Sequence, residues 1–416
     1  MQRKPPSIFS KVLPIVLLLA AGTVFADDDS GKPVWSFGGF ATVGAVHAGA
    51  QQADFTSTVL AARGAGFSRS VSPDADTRLG AQLGVSLNPQ WSAVLQVLSE
   101  YGIDNSYQPV VEWANVKYQA TPDLSIRVGR IALPMLLAAD YRKVAYTLAW
   151  VRTPVEVYGA IPITHSDGID VTYRWPAGEF KNLTQVFYGR NEVKVNDTIN
   201  SQARGVAGIS HTIELGAASL RLGYQGTNLT IDIARPLFDG LRQFGPQGVA
   251  LAERYAIDHK RVIAYNIGAN YDPGNWFAMA ELVRIDSQSF LGDKTAWYAS
   301  AGYRFGQLTP YLSYARAKSN GPTQVSGLGT QGLPPAYAGA AQALNAGLNS
   351  LLSTIAVQQT TSAGIRWDVA RDMALKLQYD RVMPKDGSSG MLINVQPNFK
   401  SGQTINVVSA TLDFVF

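Results

Sequence analysis

With 416 residues, no cysteine and a formal net charge of only +4, the chain excludes several classes at once. Without cysteine there is no disulfide, no thiol nucleophile and no thiolate metal site, and so small a charge gives no support to a nucleic-acid partner. Charged residues make up 16% of the sequence, 39 residues are glycine, and mean hydropathy is close to zero. A membrane β-barrel has this balance, because apolar residues facing lipid and polar residues facing the lumen cancel in any average.

At the N-terminus, Arg3, Lys4 and Lys11 precede an apolar run from Val12 to Ala21, and Val24-Phe25-Ala26 supplies the cleavage-site spacing. The pattern reads as a secretory signal peptide over residues 1–26, with the mature chain beginning near Asp27. Three of the 35 basic residues leave with it, so the mature net charge falls to about +1. No later stretch approaches the roughly 18 uninterrupted apolar residues of a transmembrane helix.

Sixteen segments then show strand character: 34–47, 77–88, 91–101, 109–119, 124–131, 168–176, 181–190, 203–214, 218–226, 261–271, 276–286, 295–305, 309–318, 358–369, 373–382 and 403–416. Connections after even-numbered segments are Pro, Gly, Asn and Asp clusters such as Asn88-Pro89-Gln90 and Asp272-Pro273-Gly274-Asn275, which reverse a chain quickly. Connections after odd-numbered segments are longer, the largest at 48–76, 132–167, 227–260 and 319–357. Helix formers in two of them, around Val249–Tyr255 and Ala336–Leu352, predict short helices at the barrel mouth. Period-two alternation assigns faces. Leu79, Leu83 and Leu87 oppose Arg78, Gln82 and Ser86; Trp297, Tyr303 and Phe305 oppose Ser300 and Arg304; Leu375, Leu377 and Tyr379 oppose Lys376, Gln378 and Asp380. Leu377→Arg is therefore expected to destabilise, and Gln378→Arg to be tolerated. Faces in 181–190, 203–214 and 309–318 stay unassigned. Aromatics gather at the short-turn end, among them Tyr118, Trp175, Tyr271, Trp276, Tyr303 and Trp367, as an interfacial girdle would.

Little in the sequence suggests catalysis. His47, His165, His211 and His259 are not in a metal-ligand spacing, and Ser210-His211 are strand neighbours that point to opposite faces. No phosphate loop or nucleophile elbow is present, so the expectation is a non-enzyme without metal or cofactor. The lumen face carries charge instead: Arg78, Lys117, Arg127, Arg174, Arg221, Arg304, Arg366 and Lys376 with Glu100, Asp170, Asp368, Asp380 and Asp413. Charges inside a barrel need water, so they argue for an aqueous channel. Glu281 fits poorly, because it shares a face with Phe277, Met279, Val283 and Ile285.

The alternating final segment, Leu412-Asp413-Phe414-Val415-Phe416, ends on an aromatic. In this the chain resembles the outer-membrane barrel proteins of Gram-negative bacteria, in which the last strand and its terminal Phe are read by the insertion machinery. Strand count and the long, apolar segment 131–167 after the fifth strand make the resemblance to sixteen-stranded general porins specific. The resemblance implies an all-β, antiparallel transmembrane barrel with short periplasmic turns, long external loops and segment 131–167 folded inward as the constriction. It implies passive diffusion of small hydrophilic solutes and ions, a homotrimer, and contact with outer-membrane lipid. Phe414 and Phe416 become the insertion signal. The expected constriction set is Asp140, Arg142 and Lys143 on the loop facing Lys117, Arg127, Arg130, Arg304 and Arg366 on the wall, with mild anion preference. Two features depart from the family: Asp140 is followed at once by Arg142 and Lys143 rather than an acidic cluster, and the second external loop, which latches family trimers, is only 102–108 here. A substrate-selective channel is the alternative; a barrel hydrolase would need a catalytic cluster at the rim and fewer strands.

Overall fold

The computed structural model describes residues 32–159, 161–194 and 200–416; the expected signal peptide lies outside them. Sixteen antiparallel strands form the wall. In chain order they are β1 Val34–Ala48, β2 Arg78–Ser86, β3 Trp91–Glu100, β4 Val110–Gln119, β5 Leu124–Ala132, β6 His165–Ala177, β7 Phe180–Lys194 and β8 Asn200–Leu215. The second half comprises β9 Ala218–Ile231, β10 Lys260–Tyr271, β11 Trp276–Asp286, β12 Lys294–Tyr303, β13 Leu308–Ser319, β14 Gln358–Ala370, β15 Met373–Pro384 and β16 Ile405–Val415. A two-residue strand, Val71–Ser72, adds to the sheet beside β1.

Closure falls on β1. Its first half pairs with β2, from Val34↔Ser86 to Thr42↔Arg78, and its second half with β16, from Phe40↔Val415 to Ala48↔Val407. The terminal residue stays in the ladder, since Phe416 N donates to Gly39 O at 3.0 Å and Gly39 N to Phe416 O at 2.9 Å. A Cβ at Gly39 would lie 2.3 Å from the Phe416 ring, so only glycine leaves room for the ring that covers the seam. A closed sheet leaves no unpaired backbone edge in lipid, which is why the wall must join end to end.

All sixteen expected strands are present. Four of them, β6 to β9, run three to five residues further toward the long loops than alternation suggested. Their upper ends, such as Thr227-Asn228-Leu229-Thr230-Ile231, mix Asn into a β-branched run, and Asn is a turn residue when judged by composition alone. The lipid face follows the expected parity: Leu79, Leu83, Leu377 and Tyr379 are exposed, while Arg78, Gln82, Lys376 and Gln378 are buried.

Two expectations about faces need correction. Aromatics are not confined to the short-turn end, because Tyr188, Tyr224, Tyr265, Trp297 and Tyr379 form a second exposed set nearer the long loops. On β11, Phe277, Met279, Val283 and Ile285 are the inward residues, all under 10% exposed, whereas Leu282 is 40% exposed on the outside. The inner face of β11 is apolar because it packs against protein within the lumen, and Glu281 belongs there with them.

The long loops build upon the wall. Helices α2 (Arg235–Arg242), α3 (Gly245–Tyr255) and α4 (Pro335–Leu352) pack Phe238, Leu241, Ala252, Tyr255, Leu348 and Leu352 into one apolar cluster with wall residues Phe187, Val206 and Leu229. On the opposite side, Phe55 and Ala65 of the first long loop and Leu392 of the last pack with Val46, Val382 and Val407.

Candidate functional site

Residues 133–164, between β5 and β6, cross the interior and are tied to the wall strand by strand. At their base Leu133 N donates to Thr164 O at 3.0 Å. The next turn lies on β9 and β11: Arg221 Nη1 donates to Leu136 O at 2.7 Å, and Leu137 N donates to Glu281 Oε1 at 2.8 Å. Glu281 also accepts from Tyr158 Oη at 2.9 Å, and the same hydroxyl accepts from Ala138 N at 3.1 Å. The misfit carboxylate is thus the acceptor that fixes both limbs of the loop. Around it Met135, Leu136, Trp150, Val157 and Tyr158 bury against Phe277, Met279, Val283, Tyr298 and Tyr311.

The middle of the loop is held by β12, β14, β15 and β16. Trp150 Nε1 donates to Ser300 Oγ at 2.8 Å, and Val151 N to Gln378 Oε1 at 3.0 Å. Lys376, fully buried, pairs with Asp413 at 2.8 Å and donates to Ala145 O at 2.6 Å and Trp150 O at 2.9 Å. Arg366 donates to Tyr146 O and Leu148 O. Arg152 reaches Asp76 at 2.6 Å, Asp380 at 3.0 Å and Ser409 Oγ at 2.6 Å, stacked over Phe55. Helix α1 (Val155–Tyr158) then brings Glu156 to Gln358 Nε2 at 2.6 Å and to the Thr360 hydroxyl.

Burial pushes the Glu156 carboxyl up, and Asp380 adds to the rise, while the bonds from Thr360 and Gln358 oppose it. A carboxyl raised in the docked loop gives docking stability that is fully present below its undocked pKa and is lost as pH rises through the docked value. The docked loop is therefore expected to open less often in acidic than in mildly alkaline buffer, read as fewer conductance fluctuations in single-channel records. Glu156→Gln should flatten that dependence; an unaltered pH profile would assign it to another group.

The expected constriction residues do not converge in one place. Lys143 pairs with Glu100 on β3. Arg142 turns back to its own loop, donating to Ile161 O at 3.1 Å and to Tyr158 O and Pro162 O at 3.4 Å. Arg366 lies against the loop's carbonyls. Arg304 sits at the short-turn end, clamping the β10–β11 turn through Asp272 at 2.7 and 2.8 Å. Arg130 falls on the outward parity with Val128 and pairs there with Asp167 at 2.7 Å, because a strand residue three places from Arg127 lies on the other face. Of the eight, Lys117 and Arg127 lie opposite each other on the inward faces of β4 and β5, and Asp140 is carried by the loop. Arg127 pairs with buried Asp170 at 2.7 Å. Lys117 lies beside Arg127 and Arg174 and, like Arg174, has no ion pair among the described residues. Asp140 is close enough to Asp170 for their charges to interact.

Arg152, which the sequence did not single out, and Glu281, which it showed only as a misfit, are the residues that hold the loop. An unpartnered arginine within the apolar run Trp150-Val151-Arg152-Thr153-Pro154, and a carboxylate on an apolar strand face, were the available signals. Ser210 and His211 do part to opposite faces: Ser210 is buried, and His211 stacks on exposed Trp175 at 5.9 Å.

No family model matches this sequence, and no curated protein matches it. Solved structures do match. OmpF of Salmonella typhi, in complex with daunomycin, is 13% identical over 94% of this chain and 100% of its own, with a TM-score of 0.55. The anion-selective porin of Comamonas acidovorans is 13% identical over 92% of this chain and 100% of its own, at a TM-score of 0.54. OmpT of Vibrio cholerae, in its trimer form, is 10% identical over 92% of this chain and 100% of its own, at 0.50. At such identities the likeness is one of fold: the chain shares with these porins a closed antiparallel β-barrel, here of sixteen strands.

Proposed function

We propose that this protein is a channel through which small hydrophilic solutes and ions diffuse passively, with residues 131–167 as its constriction. The observation that carries the reading is the inward loop. Its hydrogen bonds and ion pairs to the wall run to β3, β9, β11, β12 and β14–β16, and among the described residues 133–159 make none to β4–β8. The path runs between that sector and the loop near Asp140, lined by Lys117, Arg127, Asp170, Arg174 and Gln185. Charges in a narrow pore with low-dielectric walls act more strongly than on an open surface. With Asp170 neutralised by Arg127, the unpaired Lys117 and Arg174 outweigh Asp140, so mild anion preference is the expected sign. Reversal potentials in a planar bilayer under a salt gradient test it: Lys117→Glu with Arg174→Glu should move selectivity toward cations. No conductance, or an unmoved potential, removes this path.

A narrower, substrate-selective channel is the second reading, favoured by the two apolar clusters that fill opposite sides of the mouth above the constriction. Liposome swelling with sugars of increasing size separates the two, since a general porin admits them by size alone. Three copies are proposed to assemble in the membrane, as OmpT of Vibrio cholerae does in its trimer form. Phe414 and Phe416 are proposed to be read by the insertion machinery before the seam over Gly39 closes.

A further inference from the structure

The outer wall of β8–β11 is arranged in rows that follow strand register. One row runs His211, Leu222, Ile267 and Leu282, directly opposite one another. The row above it, toward the long loops, runs Ile209, Tyr224, Tyr265 and Arg284. Above that come Ala207, Gly226, Ile263 and Asp286, and then Asn228 opposite both Arg204 and Arg261. The six apolar and aromatic side chains of the lower rows, each 37–46% exposed, line a groove of about 430 Å³ on the lipid side of the wall, with His211 at one edge and Gly223 and Asn266 at its floor. The Tyr224 and Tyr265 rings sit 5.3 Å apart at its upper end, where amphipathic rings mark the boundary of the hydrocarbon.

Charge is placed directly above that boundary. A Cβ at Gly226 would lie 3.5 Å from Arg261 Nη2, so the arginine lies down across the glycine, over the top of the tyrosine pair. Arg261 has no ion pair among the described residues, and there the Arg204 guanidinium donates to Gln202 Oε1 without an acid beside it. Arg284 is matched by Asp286. Two exposed guanidinium groups therefore remain uncompensated at headgroup height, over a groove that fits a hydrocarbon chain. A guanidinium fork matches the geometry of phosphate oxygens.

We propose that this face holds one phosphate-bearing lipid of the outer leaflet, with an acyl chain in the groove between Leu222, Ile267 and Leu282 and a phosphate on Arg261 and Arg204. Only a ligand with both parts fits: a free phosphate leaves the groove bare, and a neutral lipid leaves the arginines unpaired. The site is independent of conduction, because the side chains assigned to the lipid, Leu222, Ile267, Leu282, Arg204 and Arg261, point away from the lumen.

The test uses the full chain in non-ionic detergent, titrated with bisphosphorylated lipid A and with the same lipid after phosphate removal, and read by native mass spectrometry. Wild type is expected to retain the phosphorylated lipid at least tenfold better. Arg204→Gln with Arg261→Gln should erase that preference, Ile267→Trp should weaken both lipids by filling the groove, and Arg381→Glu, on β15, should change neither. Circular dichroism and heat-modified gel mobility confirm that each variant is folded. Equal retention of the two lipids, displacement by millimolar inorganic phosphate, or full binding by the double Gln variant would overturn the proposal. A double Gln variant that dissociates into monomers while still binding lipid overturns it too, and makes this face a contact between copies.

Discussion

Replacing Arg152 with alanine is expected to release the middle of the inward loop and to cost about 3–5 kcal/mol of stability, the usual penalty for breaking a buried ion pair from one side. The Arg152 side chain is 4% exposed, and those of Asp76 and Asp380 are 0% and 3% exposed. Alanine leaves two buried carboxylates without the guanidinium that paired them, and their mutual repulsion adds to the loss. The three partners come from the first long loop, the inward loop and β15, so one guanidinium ties together segments far apart in sequence. Two readouts follow. Thermal unfolding in detergent should fall markedly, and single-channel conductance should rise and become noisy as the loop leaves the wall. The triple variant Arg152→Met, Asp76→Asn, Asp380→Asn removes all three charges and should recover most of the stability, because a buried charged set can be replaced by neutral groups at little net cost. If the single and triple variants are equally unstable, packing rather than charge holds this part of the loop.

The contrast between Arg152 and the wall strands shows what can be seen in a sequence of this kind. All sixteen strands could be placed, thirteen of them with their faces, because a wall with lipid on one side and a polar interior on the other favours a period of two, and turns at one end put Pro, Gly, Asn and Asp into fixed places. Position and apolarity also marked residues 131–167 as a segment apart. Their partners were not visible. Lys376, Arg366 and Arg221 read as pore-lining charges, yet each donates to a backbone carbonyl of the loop. Carbonyls have no sequence signature, so a wall charge that carries a loop looks identical to one that meets an ion. Glu281 was visible as an anomaly and unintelligible alone; its partners are a backbone amide and Tyr158, more than 120 residues away. Arg130 was misplaced for a simpler reason: its alternation with Arg127 was not applied to it.

Leu377→Arg and Gln378→Arg, adjacent on β15, are both expected to destabilise, and by different mechanisms. Leu377 is 50% exposed on the outer wall, near mid-strand, where its neighbours across the ladders are Ile365 and Ala410. Arginine there must place its charge in hydrocarbon or snorkel toward the headgroups, at a cost of roughly 2–4 kcal/mol. Gln378 was expected to tolerate arginine because it faces inward, and inward was equated with water. It is 6% exposed instead. Its carbonyl accepts from Val151 N at 3.0 Å and from Tyr311 Oη at 2.7 Å, and its amide donates to Asp380 Oδ1 at 2.7 Å. Arginine has no acceptor atom, so Val151 N and Tyr311 Oη lose their partner while buried, at about 1–3 kcal/mol for each unsatisfied group. The new guanidinium would also compete with Arg152 for Asp380. The loop should therefore detach in Gln378→Arg and stay seated in Leu377→Arg. Unfolding midpoints alone do not separate the two, but conductance does: it should rise in Gln378→Arg and stay at the wild-type level in those Leu377→Arg barrels that fold. Wild-type conductance in Gln378→Arg would mean that this glutamine does not hold the loop.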